Sequence, residues 1–150
     1  YDTNAYRIEH GLSTLMPYIA KYFPKAKVCT IILEGEPPLK QPQAQKLADV
    51  LAPYFTEEKS KKNFLLISTD FSHHSDLEGT QKKDSRSRLF FENPSVENWF
   101  YCVCDNRQGM YVLSHIFPAK KSSVLYHTNS FELSGKDGDD ITSYFFSFIY

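Results

Sequence analysis

Phe64-Leu65-Leu66-Ile67-Ser68-Thr69-Asp70-Phe71-Ser72-His73-His74-Ser75-Asp76 is the stretch that decides the reading of this chain. Its first half is an apolar run of strand length, which reads as a strand buried on both faces. Its second half turns polar at once and holds carboxylates and two imidazoles. In open α/β sheets, ligand-binding groups sit on loops at the carboxyl ends of strands, where rigid backbone fixes their geometry. Asp70 and His73 are three residues apart, so one turn of backbone aims both inward. A carboxylate with an imidazole either binds a divalent metal or forms an acid–base pair. His74, a direct neighbour of His73, is expected to diverge toward solvent or packing. The competing reading of the stretch is a solvated surface turn.

Upstream, Leu12, Leu15, Met16, Ile19, Tyr22 and Phe23 fall at helical spacing and predict a helix over 11–23, stopped by Pro24. Residues 27–33 read as a second strand covered on both faces, with Cys29 buried in it as a small hydrophobe. Gly35, Pro37, Pro38 and Pro42 mark 34–42 as a loop. Leu47, Val50, Leu51 and Tyr54 predict a helix over 43–55. Residues 57–62 are a charged surface turn in which Lys59, Lys61 and Lys62 are solvated. Helix then strand, twice over, is the rhythm of an α/β fold with a mixed, largely parallel central sheet flanked by helices. Downstream, helices are expected over 80–92, 95–104 and 109–117, the last ended by Pro118. Strands are expected over 122–127 and 142–150, with 135–140 as the turn between them.

A chain of 150 residues is one domain's worth and long enough to bury a core. The formal net charge of -1 argues against nucleic-acid binding driven by overall basicity. Aromatic residues at 15% argue against wholesale disorder and for a ring-rich core. No apolar run is long enough to span a bilayer as a helix. No signal-peptide pattern is present, but residue 1 is Tyr, so an internal piece of a longer protein is one reading. The three cysteines lack a disulfide framework, which suggests free thiols and a reducing, cytoplasmic setting.

Other chemistry-bearing residues are weaker signals. Cys104 stands just ahead of an expected helix, where the dipole lowers a thiol pKa and favours a nucleophile or soft ligand; a half-buried structural thiol is the rival. Cys102-Val103-Cys104 has no second ligand pair and is not a zinc motif. Glu9-His10 precedes the first helix, where Glu9 suits a helix start. Asp137, Asp139 and Asp140 do not match a calcium loop and read as a solvated acidic turn. His115, among apolar neighbours, reads as a packed histidine. His127, at a strand end, is open between packing and ligation.

Taken in order, these pieces resemble one family. Glu9-His10-Gly11-Leu12 with Leu15-Met16-Pro17-Tyr18 is similar to the E-H-S-[LI]-E-x-x-L-P-[FY] segment of the MEMO family, whose bacterial members are AmmeMemoRadiSam system protein B. The stretch from Phe64 to His73 is similar to its hydrophobic strand followed by S-[ST]-D-[FL]-[SC]-H. Asp84 falls near its next acidic position, and Cys104 on the Cys of its C-G-R-x-P-[IV] segment. Tyr126-His127-Thr128-Asn129-Ser130, Gly135-Lys136-Asp137 and Tyr144-Phe145-Phe146 resemble its C-terminal end. Ser13 and Leu15 depart from the family pattern, as does the Asp105–Gly109 stretch after the Cys.

The resemblance implies a fold related to class III extradiol ring-cleavage dioxygenases, of which this chain would be the C-terminal half. It implies a pocket for iron or copper in which Asp70, His73 and Cys104 carry metal binding and catalysis, completed by histidines upstream of Tyr1. Without those histidines, no metal is expected to be retained by this chain alone. Two functional readings follow: a redox or oxygenase-like enzyme with that pocket, and a non-catalytic binding or signalling module on the same fold. Either would take a small molecule or a peptide, with no role for nucleic acid or membrane. A hydrolase using Asp70 and His73 to serve Cys104 ranks third, because no nucleophile elbow is present.

Overall fold

The computed structural model describes residues 3–33, 41–118, 121–136 and 138–150. The chain divides into two compact units, Tyr1–Glu34 and Gly35–Tyr150. The first holds three short helices: α1 (Thr3–Ile8), α2 (His10–Ser13) and α3 (Met16–Tyr22). The helix expected over 11–23 is therefore split at Thr14–Leu15. Pro17 lacks an N–H and its ring would clash with the carbonyl four residues back, so it sits in a new first turn rather than inside one long helix. Residues 27–33 form no strand, and Cys29 is exposed, not buried. The Tyr6 hydroxyl donates to the Thr30 carbonyl, at 3.3 Å.

In the second unit, α4 (Gln41–Leu51) packs against α6 (Arg107–Ile116). Ala44 and Ala48, one turn apart and fully covered, let the two helices approach; Tyr111, Val112 and Ile116 complete that core. A second core gathers Phe71, Phe90, Phe91, Cys102, Cys104 and Met110, with Phe145 packed against it. Its rings meet edge to face or stacked, Phe71 on Phe145 at 4.8 Å and Phe91 on Phe145 at 5.1 Å between centroids. Phe90 and Phe91 come from α5 (Leu77–Glu92), which starts earlier than expected because Asp76 caps it, accepting from the Gly79 N–H at 2.7 Å. The helix expected over 95–104 is a single turn at Trp99–Tyr101, after which the chain runs extended through Cys102.

The sheet among the described residues is two-stranded and antiparallel, β1 (Ser122–Asn129) with β2 (Ser143–Ile149). Both strands were expected, but α7 (Ser130–Ser134) lies between them, closed by Gly135 at φ +67°. The expected turn residue Asp137 lies outside the described residues, as do 34–40 of the expected loop. The molecule thus mixes helix and strand, but the described residues form no parallel strand pair. Residues 64–68 form no regular secondary structure and make no backbone–backbone hydrogen bond among the described residues. Phe64 is 70% exposed and Leu66 50%, so the burial expected on both faces is not found. The apolar run is real, but among the described residues no neighbouring strand takes up its ladder bonds.

The chain is pinned just after that run. Phe71 N–H donates to the Ser143 carbonyl and Ser143 N–H to the Ser72 carbonyl, at 3.0 and 3.1 Å. On the other side, Asp105 N–H donates to the Asp70 carbonyl at 3.0 Å. Beneath lies Asp84 of α5, 3% exposed. Its Oδ1 accepts the hydroxyls of Ser72 at 2.6 Å and Ser143 at 2.5 Å, and its Oδ2 accepts His127 Nε2–H at 2.8 Å. One buried carboxylate thereby ties the 71–76 loop, β1 and β2 to α5.

Removing that carboxylate leaves three donors unpaired in the interior. Asp84→Ala is expected to lower unfolding stability by about 3–5 kcal/mol and Ser72→Ala by about 1–2 kcal/mol. Urea denaturation followed by far-UV circular dichroism measures both; an Asp84→Ala loss below about 1 kcal/mol would show that the cluster does not anchor the fold.

Candidate functional site

The site is assembled by the loop between residue 70 and the start of α5. His74 adopts φ +50°, a left-handed conformation that His tolerates better than most residues. The two imidazoles do not diverge as neighbours were expected to, their ring centroids lying 5.5 Å apart, but they take different partners. His74 is exposed and pairs with Asp140 at 2.7 Å, while His73 turns into a cleft. Lys83, on the second turn of α5, donates to the His73 carbonyl at 2.5 Å and to Ser75 Oγ at 2.6 Å. Ile141 N–H donates to the Ser75 carbonyl at 3.0 Å. The loop is therefore held on both sides without contributing regular structure of its own.

His73 is oriented from one ring edge. Nδ1 is hydrogen-bonded to Thr142 Oγ1 at 2.9 Å. Nε2 is buried with no hydrogen bond among the described residues, although Asp105 Oδ2 lies 3.0 Å away and Asp70 Oδ2 3.7 Å away. Both carboxylates are within ion-pair reach of the ring, but Asp70 is too far for a hydrogen bond and Asp105 is at the wrong angle for one. The expected Asp70–His73 pair is thus brought together, and Asp105, given no role from the sequence alone, stands closer to the ring than Asp70.

Cys104 lines the same cleft as His73 and is joined to the loop by a bridge between Phe71 and Cys104. Its thiol does not have the lowered pKa expected of a helix start. Burial pushes it up to about 12, outweighing hydrogen bonds from Asn106 and Thr69 and the charge of Arg107. Burial likewise pushes Cys102 well up, with Cys104 as the second cause. Cys104 is two residues ahead of the cap Asn106, whose side chain accepts from Gly109 N–H at 2.7 Å, and its burial among Phe71, Phe90, Phe91 and Met110 outweighs the pull of that helix start. At neutral pH it is a thiol, not a thiolate.

Iron or copper asks for at least three converging donors. Among the described residues no three of His, Cys, Asp or Glu form a group able to hold a metal ion. The residues present therefore do not by themselves fit the implied metal. They supply an imidazole flanked by two carboxylates, able to hold and pass a proton or to face a ligand.

The remaining candidates fall outside this cleft. His127 is taken up by Asp84 and packs on Phe145, 4.3 Å between ring centroids. His115 stacks on Tyr111 at 3.9 Å, as a packed histidine should. Glu9 caps α2 by accepting from Gly11 N–H at 2.9 Å, and His10 is exposed. Tyr144 on β2 was not foreseen: burial first, then the Asp70 carboxylate, raises its phenol, so it stays a neutral hydroxyl. Lys83 and Arg86 of α5 and Arg107 of α6, which do line the cleft, were not singled out either, because nothing in the sequence shows that the two helices share a wall.

The family model described as Memo-like protein matches residues 1–141. The chain belongs to that family. No curated protein and no solved structure matches it. No helix among the described residues is long and apolar enough to cross a membrane.

The thiol environments set an order of reactivity. Cys29 should be alkylated by iodoacetamide first, with Cys102 and Cys104 modified only on unfolding, as read by peptide mass spectrometry. Rapid native labelling of Cys104 would contradict its assignment as a buried thiol. The raised Cys104 pKa also gives a pH dependence. From about pH 9 to about 12 the unfolded chain loses this proton while the folded chain keeps it, so stability should fall across that window. Cys104→Ala should flatten the slope of the urea midpoint against pH.

Proposed function

We propose, on the premise that this chain is a Memo-like protein, that residues 1–150 are the C-terminal part of the domain and that the His73 cleft is this part's share of its ligand site. The observation that carries the reading is the His73 ring: one nitrogen is fixed by Thr142, and the other is buried without a hydrogen bond beside Asp70 and Asp105. A buried polar nitrogen left unpaired in an otherwise satisfied loop is a position kept for a bound group.

In its fuller form the site is a redox pocket for iron or copper. His73, Asp70 and Cys104 are this chain's contribution, and further imidazoles come from outside residues 1–150. Residues 64–69 then serve as a strand of a larger, parallel, dioxygenase-like sheet whose other strands lie elsewhere in the domain. The exposed apolar side chains and open backbone of 64–68 support that role. The second reading, a binding or signalling module without turnover, is favoured by the buried thiol and by the lack of a three-donor set.

Metal analysis separates the two. Residues 1–150 alone should keep no stoichiometric iron or copper through dialysis. A longer protein that includes the preceding segments should keep it and lose it on His73→Ala. A metal-free longer protein, or one whose metal ignores His73→Ala, would overturn the redox reading and leave the binding module.

A further inference from the structure

Away from the His73 cleft, the end of α5 and the start of β1 enclose a second cavity of about 260 Å³, lined by Arg88, Phe91, Glu92, Ser122 and Val124. The two cavities share no lining residue. Arg88 and Glu92 stand one helical turn apart on the same face of α5, where opposite charges ordinarily pair. Here they do not. The Arg88 guanidinium is laid over the Phe145 ring, 5.4 Å from its centroid, and pairs with no carboxylate among the described residues. Glu92 is exposed and pairs with no cation among the described residues. It is also the last residue of α5, whose last turn carries no basic side chain, so the negative end of the helix dipole adds to its charge. On the β1 wall, Ser122 Oγ is buried with no hydrogen-bond partner among the described residues. Phe91 and Val124 supply the apolar part of the wall.

A guanidinium and a carboxylate one turn apart, each unpaired, match a small ligand that carries both charges close together. The two apolar side chains beside them match a short hydrocarbon on that ligand. We infer that this cavity binds a free α-amino acid with an apolar side chain. Its carboxylate lies on Arg88, its ammonium on Glu92 and its hydrocarbon against Phe91 and Val124. The planar guanidinium fork takes a carboxylate through two parallel hydrogen bonds, and the helix end favours the ammonium. The Ser122 hydroxyl then donates to the ligand carboxylate and is no longer unpaired.

Leucine is the probe, titrated at low salt into the chain with the Ser122, Val124 and His73 signals followed by NMR. Isocaproate is leucine without the ammonium, isoamylamine is leucine without the carboxylate, and glycine is the zwitterion without the hydrocarbon. Leucine should bind saturably, shift Ser122 and Val124 but not His73, and bind at least about tenfold more tightly than any of the other three. Glu92→Gln should weaken leucine about tenfold and leave isocaproate unchanged. The urea midpoint should not fall, because the Glu92 side chain is exposed and holds no partner among the described residues. Any of the three analogues binding as tightly as leucine, or Glu92→Gln leaving leucine unchanged, would overturn the assignment. So would leucine shifting His73 in place of Ser122 and Val124, or shifting none of them.

Discussion

The second unit depends on the buried carboxylate of Asp84. Placing a charge in the interior costs several kcal/mol unless its lone pairs are satisfied. Here three donors satisfy them, and each comes from a different segment: Ser72 from the loop, Ser143 from β2 and His127 from β1. Because the charge cannot stay buried without its donors, the three segments are forced to meet on one face of α5. Ser87, nearly one turn further along that face, accepts from the Val103 N–H at 3.0 Å and so brings in the segment that carries Cys104. The floor of the His73 cleft follows from those constraints, since Phe71, Ser72, Val103 and Cys104 all line it.

That arrangement explains which features could be read from residues in order. The apolar-to-polar switch at Asp70 marked the site because a change of chemistry within one segment is a local signal. α4 was visible through its apolar stripe, α6 through the segment that Pro118 ends, and both strands were expected; α6 begins at Arg107 rather than 109 because Asn106 caps it. The buried face of α5 was hidden. Its inward positions begin with Thr80, Asp84 and Ser87 and become apolar only at Phe90, so a search for an apolar stripe finds the end of the helix and not the start. The pairing of Asp84 with His127 joins residues 43 apart, and nothing short-range announces it.

Two misreadings have a common cause. Residues 64–69 carry the pattern of a covered strand, and Cys104 carries the spacing of a helix-start thiolate. In each case the local pattern states a tendency and the neighbours decide the outcome. The run finds no adjacent strand among the described residues, and Phe64 and Leu66 are exposed. The thiol finds Phe71, Phe91 and Met110 as companions in one core, so desolvation dominates the weaker attraction of the helix end and of Arg107. Membership of the Memo-like family accommodates both facts: the segment that presents Asp70 and His73 is present, while its sheet environment and a full donor set are not formed by the described residues.

Asp84 orients His73 through Ser72 and the loop backbone, without touching the ring. Nitrogen-15 NMR of the His73 imidazole tests this most directly, comparing the parent chain with Ser72→Ala under conditions where both are folded. Losing one hydroxyl at Asp84 should shift the Nδ1 and Nε2 signals of His73, because the ring's bond to Thr142 Oγ1 is loosened as the loop relaxes. Unchanged His73 nitrogen signals in a folded Ser72→Ala chain would contradict it and show that the loop holds its histidine without the buried carboxylate.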